Sequence, residues 1–310
     1  MTRVAAIDMG TNSTRLLIAD VVGHGRHAAV VTIERRMTIT RLGQGVDADR
    51  RLHPDAIQRT LTALAEYGEV IRGHDVEITR AVATSAARDA ENRDALFDPA
   101  VALLGVRPEL ISGGEEARLS FLGATAELGA AGAPYLVVDI GGGSTEFVLG
   151  IDEPRHSISV DMGCVRLTEQ FLVSDPPAPE ELSNAVGFVR DLLRDVEQEV
   201  PGASDARTLV GLAGTVSTLA SVEQGLSVYD RDKIHGYRLT KDAVEDAFRT
   251  LATESRDERQ YNPGLEPGRV DVIVGGAIVL ATILRTFGFD ELLVSESDIL
   301  DGIARTLAGP

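Results

Sequence analysis

Cysteine is almost absent from this chain of 310 residues: the single Cys164 excludes an internal disulfide and fits a reducing compartment. Lysine is nearly as scarce, with only Lys233 and Lys241, so arginine carries almost all of the positive charge. Its planar fork suits bidentate contact with phosphate. Cationic residues are outnumbered as a whole, 30 Lys and Arg against 48 Asp and Glu, for a formal net charge of −18. With no Lys/Arg-rich tract, that balance argues against a nucleic-acid partner. Long apolar runs are missing too. The longest, residues 272–284, is shorter than a membrane span and contains Gly275 and Gly276, so it reads as a buried helix. Residues 4–7 are too few before Asp8 to form the apolar region of a secretory signal. The default expectation is a cytoplasmic protein with neither a nucleic-acid nor a membrane partner.

Against these absences stands one stretch, Val137-Val138-Asp139-Ile140-Gly141-Gly142-Gly143-Ser144-Thr145-Glu146-Phe147-Val148. An apolar run ends in Asp, three glycines turn the chain, Ser and Thr follow, and a second apolar run leaves: a β-hairpin with an anion site in its turn. Glycines let several N–H groups converge on one point, and hydroxyls add donors, as a phosphate requires. The Asp would repel the phosphate but can hold the Mg²⁺ that accompanies it. The same device stands near the N-terminus, where Asp8, Gly10, Ser13 and Thr14 match Asp139, Gly141, Ser144 and Thr145. Both copies read D-x-G-x-x-S-T. The repeat predicts two similar domains facing each other, each giving one phosphate hairpin to a shared cleft. A phosphate-rich ligand would approach a molecule of its own sign, so divalent metal and clustered arginines would have to overcome that field.

Further along the chain, a strand over residues 76–83 ends in Thr84-Ser85-Ala86-Ala87-Arg88, which serves either anion binding or helix capping. Gly113-Gly114-Glu115-Glu116 opens a helix, where acids either complement the dipole or orient a water for attack on a phosphoryl group. Strand alternation places Ser144 and Glu146 on one face, making Glu146 either a metal or water ligand or an exposed strand residue; its counterpart Arg15 is either a phosphate contact or, again, an exposed strand residue. Third strands are expected at residues 28–33 and 156–160, an amphipathic helix at about 180–199, and a closing helix at 299–307. Cys164 reads as a packed thiol. Gly211-Leu212-Ala213-Gly214-Thr215, where a strand passes into a helix, reads as a third wall in which Gly214 and Thr215 hold another phosphate or a nucleoside.

These motifs resemble the actin, sugar-kinase and Hsp70 superfamily, and within it the exopolyphosphatase and guanosine pentaphosphate phosphohydrolase family. Ala6 to Ser13, Ala83 to Arg88, Ile111 to Arg118, Asp139 to Glu146, Asp161 to Glu169, Arg269 to Ile273 and Val294-Ser295 carry the resemblance across essentially the whole chain. It implies an α/β protein of two ribonuclease-H-like domains with a cleft between them. The first would comprise residues 1–120 plus 296–310 and the second 121–295. It also implies Glu116 as general base, with Glu115 the alternative, and Asp139 as a catalytic carboxylate. Asp8 and Asp139 would hold Mg²⁺, with Glu146 a further ligand. Asn12, Ser13, Thr14, Arg15, Arg88, Gly141, Gly142, Gly143, Ser144, Thr145, Gly214 and Thr215 would bind substrate.

The reaction expected is release of terminal orthophosphate from inorganic polyphosphate by water. Longer family members carry additional helical domains, so shorter chains are the expected substrates. Guanosine pentaphosphate is the rival substrate, and a small-molecule kinase or a nucleotide-dependent assembly protein are the rival classes. A homodimer is the expected assembly.

Overall fold

The computed structural model describes residues 1–307. The chain divides into two compact units, Met1–Ala126 with Asp298–Pro310, and Glu127–Ser297.

The first unit is built on β1 (Thr2–Met9), β2 (Ser13–Val22), β3 (Ala29–Ile39), β4 (Ile78–Ala83) and β5 (Glu109–Leu110). Their order is β3-β2-β1-β4-β5, with β1 to β3 an antiparallel meander and β4 and β5 added in parallel. Strand alternation sends β1 side chains to both faces. Ala5, Ile7 and Met9 join Leu16, Ile18, Leu64, Tyr67 and Phe97 under the helices Pro54–Gly73 and Asp94–Leu104. Val4 and Ala6 join Leu17, Leu119, Ile299, Leu300 and Ile303 under the helices Gly113–Thr125 and Ile299–Leu307. A strand covered on both faces needs the near-continuous apolar run found there. Strand β3 is longer than its apolar run and continues through Glu34, Arg35 and Arg36 to Ile39. At this sheet edge Arg36 stays exposed, while Arg35 turns in and pairs with Asp301.

The second unit holds β6 (Tyr135–Ile140), β7 (Thr145–Gly150), β8 (Pro154–Val160), β9 (Thr208–Leu212), β10 (Arg238–Thr240) and β11 (Glu291–Val294). Their order, β10-β11-β9-β6-β7-β8, reproduces the first sheet from β8 to β11 and adds β10 as an antiparallel edge. Each unit therefore has the ribonuclease-H-like meander followed by parallel strands. The core of the second packs Leu136, Val138, Ile140 and Phe147 against the helices Pro179–Glu199 and Ile273–Phe287. Residues 273–284 are all buried, as an uncharged run should be. Among the described residues no helix is long and apolar enough to cross a membrane. The helix Gly113–Thr125 stays whole within the first unit, so the chain leaves that unit after Ala126 and returns at Asp298.

Candidate functional site

Both repeated motifs form antiparallel hairpins in the same register. Asp8 lies opposite Arg15 and Met9 opposite Thr14, while Asp139 lies opposite Glu146 and Ile140 opposite Thr145. The turns close identically: Gly10 N–H donates to Ser13 O at 3.0 Å and Gly141 N–H to Ser144 O at 3.0 Å. A Cβ on Gly10 or Gly141 would stand 3.1 or 3.0 Å from that same carbonyl oxygen, tighter than most real contacts.

The carbonyl groups of each turn are taken by a later segment. In the first unit, Thr11 O accepts from Gly43 N–H, and Asn12 O from Thr40 and Arg41 N–H, at 2.8 to 3.1 Å. In the second, the start of the helix Cys164–Phe171 does this work. Gly141 O accepts from Cys164 N–H, Gly142 O from Val165 and Arg166 N–H, and Gly143 O from Gly163 N–H and Arg166 Nε. Gly163 is required there, because a Cβ would run into the Gly142 backbone. Arg166 is buried, and that burial pushes its pKa down. With the carbonyls engaged, Gly142 and Gly143 N–H donate to no backbone acceptor among the described residues, so the turn presents amides, the polarity an anion requires.

In the first unit several charged side chains come together. Asp8 is 2% exposed at the end of β1. Its Oδ2 accepts from Arg15 Nε at 3.0 Å and Nη2 at 2.6 Å, while its Oδ1 is buried without a hydrogen-bond partner. Burial pushes the Asp8 carboxyl upward, and Arg15 opposes that shift. Asn12 Nδ2 is likewise buried without an acceptor. From the short helix Ser85–Asp89, Arg88 Nη1 donates to Glu116 Oε2 at 2.7 Å and to Ile111 O at 3.2 Å. Its charge also reaches Asp8. The neighbouring Glu115 is held elsewhere, by Arg118 at 2.9 and 3.0 Å with Arg80 3.7 Å away. Bonding to Arg118 holds the Glu115 carboxyl below its ordinary range.

In the second unit Asp139 is 7% exposed and Glu146 1%. Glu146 Oε1 accepts the hydroxyl protons of Ser144 and Ser159, each at 2.7 Å. Ser144 and Glu146 thus share a face, and the Ser144 proton points at Glu146.

The hydroxyls of three expected phosphate contacts are engaged within the fold. The Thr14 hydroxyl is fully buried against the Thr40 hydroxyl at 3.0 Å, and the Thr145 hydroxyl is fully buried and donates to Met162 O at 2.7 Å. Successive strand residues face opposite sides, so each Thr lies on the face opposite its preceding Ser. Thr215 is also buried: its hydroxyl lies within reach of the Cys164 thiol, and Gly276 leaves room for its side chain. Cys164 is a packed thiol, its pKa pushed up by burial. Gly214 instead makes space for the Arg269 guanidinium, whose position a Cβ would occupy. The preceding Ala213 has φ +66°, an uncommon conformation for a residue with a side chain. Arg15 reaches Asp8 and also Asp298, at 2.5 Å.

Sequence reasoning gave no role to Asp298, Arg166 or Ser159. Only folding joins Asp298 to Arg15, 283 positions away. An arginine buried among carbonyls, like Arg166, looks in sequence like any other.

Residues 17–306 match the Ppx/GppA phosphatase family. Exopolyphosphatase 2 of Mycobacterium tuberculosis is 50% identical over 318 residues, covering 100% of this chain and 99% of the relative. A crystal structure of the Aquifex aeolicus member of the Ppx/GppA protein family matches with TM-score 0.82 at 34% identity, over 99% of this chain and 97% of that one. An exopolyphosphatase structure from Cytophaga hutchinsonii matches with TM-score 0.89 at 26% identity, over 99% and 97%.

Proposed function

The chain belongs to the Ppx/GppA phosphatase family, and from that premise we propose that it is an exopolyphosphatase, releasing orthophosphate from the end of inorganic polyphosphate. The observation that carries the reading is the pairing of Arg88 with Glu116 within electrostatic reach of the buried Asp8. Within the first unit this supplies a carboxylate base, a guanidinium for phosphate oxygens and a carboxylate for a cation.

Asp8 fits a divalent cation. Its Oδ1 is buried and unpartnered, and a metal ion is a natural partner for such an atom. Among the described residues no group of three or more His, Cys, Asp or Glu could cage a metal. Mg²⁺ has no need of such a cage, because it takes one or two carboxylates and completes its shell with water and substrate phosphate oxygens. In the second unit Asp139 and Glu146 are the candidate ligands. When bound, the cation would neutralise charge on phosphate oxygens as a Lewis acid.

The protein's own groups do the rest. In the second unit the turn amides of Gly142 and Gly143 bind phosphate oxygens, and in the first unit Asn12 Nδ2 offers a donor of the same kind. Ser13, next to Asn12 in the same turn, contributes its hydroxyl. Arg88 holds one oxygen of Glu116, which orients the carboxylate and offers a second guanidinium nitrogen to substrate. Glu116 takes the proton of the attacking water as the phosphorus–oxygen bond forms, and the shortened chain departs in line. Glu115, tied to Arg118 and Arg80, is the weaker candidate for this proton. A preference for short chains, a homodimer and a cytoplasmic location belong to the same reading.

Orthophosphate release with Mg²⁺, measured on short polyphosphate, long polyphosphate, guanosine pentaphosphate and ATP, tests the proposal. The expected result is release from polyphosphate, fastest from short chains. Release confined to guanosine pentaphosphate would transfer the assignment to that substrate, and release from none would overturn it.

A further inference from the structure

The carboxylate at the end of β1 is not held by Arg15 alone. Arg15 stands between two acids, with Nε and Nη2 on Asp8 Oδ2 and Nη1 on Asp298 Oδ2 at 2.5 Å. Asp298 is itself fixed: its Oδ1 accepts Leu300 N–H at 2.9 Å at the start of the last helix, and its own N–H donates to Asp301 Oδ2 at 2.9 Å. Arg35 closes the group on Asp301 Oδ2 at 2.5 Å. Asp8, Asp298 and Asp301 are all under a tenth exposed.

Two features of this chain bear on Asp8. The first is geometric. An arginine fork facing a carboxylate commonly engages both oxygens, yet here both N–H groups converge on Oδ2 and leave Oδ1 unbonded. Anchoring Nη1 on Asp298 sets the tilt of the guanidinium plane that produces this. The second is electrostatic. A lone Asp8–Arg15 pair is neutral, and its guanidinium would repel a cation on the adjacent oxygen. Three carboxylates against two guanidiniums leave the linked group with one negative charge.

We infer that Asp298 is a positioning residue for the reaction: through Arg15 it directs Asp8 Oδ1 toward the bound cation and offsets the arginine charge beside it. This rests on the reading that a divalent cation meets Asp8. The anchor is rigid, because the helix Ile299–Leu307 packs on Gly113–Thr125 with Gly302 against the Leu119 carbonyl and Gly123 against the Asp298 carbonyl.

The test is cation binding to substrate-free protein, by calorimetry with Mg²⁺ and by paramagnetic resonance with Mn²⁺, alongside thermal midpoints and Mg²⁺ activation of hydrolysis. Asp298→Asn keeps the shape and the acceptor for Leu300 N–H but removes the charge. It is expected to weaken cation binding about 10- to 100-fold, the usual cost of losing an outer-shell partner, and to shift the Mg²⁺ activation curve in parallel. Asp301→Asn removes the same charge but leaves the Arg15–Asp298 bond, and is expected to lower the thermal midpoint while weakening cation binding clearly less than Asp298→Asn. Wild-type cation affinity in Asp298→Asn would overturn the inference, as would equal weakening in both variants. Cation binding by a wild type that releases no orthophosphate would count against the proposed activity and leave this inference standing.

Discussion

Arg88 and Arg118 divide the two glutamates at the start of one helix. Arg88 takes Glu116 and Arg118 takes Glu115. The sequence left these acids interchangeable, since both stand in the first turn, where either serves the helix dipole. Only the direction of each side chain separates them. Bonding to Arg118 holds Glu115 below the ordinary 4.5. Whatever stability that pair adds is therefore fully present above 4.5 and is lost as pH falls through the depressed value. The amount is small, about 0.2–1 kcal/mol for a partly exposed pair. Carbon-detected NMR titration should find the Glu115 midpoint below 4.5 in wild type and moved upward in Arg118→Ala; an unmoved midpoint would remove Arg118 as the cause. The D-x-G-x-x-S-T repeat showed Asp8, Asp139 and both serines. It could not show that Thr14 and Thr145 turn inward, because a motif match does not say which face each letter occupies. Nor could it pair Arg15 with Asp298, a contact only the folded first unit makes.

Elements were far more legible. Glycine turns between apolar runs mark both hairpins, His53-Pro54-Asp55 marks a helix start, and His53 Nδ1 accepts from Asp55 N–H at 3.2 Å. Where boundaries moved, the neighbour decided: β3 runs on to Ile39 because β2 is long enough to pair with it through Ser13. Close approach between elements is the part no local pattern reveals. Gly302 looks like a poor choice inside the last helix, since glycine there costs about 1 kcal/mol relative to alanine. A Cβ at Gly302, however, would enter the Leu119 carbonyl on the facing helix. Gly302→Ala should therefore lower the unfolding free energy by about 1–3 kcal/mol through overpacking. Gly73→Ala, where a Cβ meets nothing within 4 Å, should leave it unchanged or slightly raised. Urea melts of the two variants make the comparison, and equal stability in both would refute the packing argument.

For the whole molecule, the internal repeat is the informative feature. Two sheets share one strand order, and each places a carboxylate at the end of its first strand with a glycine turn beyond it. In each, a later segment draws off the turn's carbonyls, a loop in one unit and a helix start in the other. That is how a chain of net charge −18 can take a polyanion: local amides and arginines act at short range, where the overall field matters less than the nearest donors. The differences between the copies carry the chemistry. Arg15 opposite Asp8 and Glu146 opposite Asp139 give the two hairpins unlike charges, and only in the first unit does a second arginine, Arg88, link a glutamate to the surroundings of the hairpin carboxylate. The measurement that tests this account most directly is orthophosphate release from short polyphosphate by Glu116→Gln, with substrate affinity measured separately. The account predicts that turnover falls about 10²- to 10⁴-fold, the range for losing a general base, while the substrate still binds. Near-wild-type turnover in that variant would contradict it.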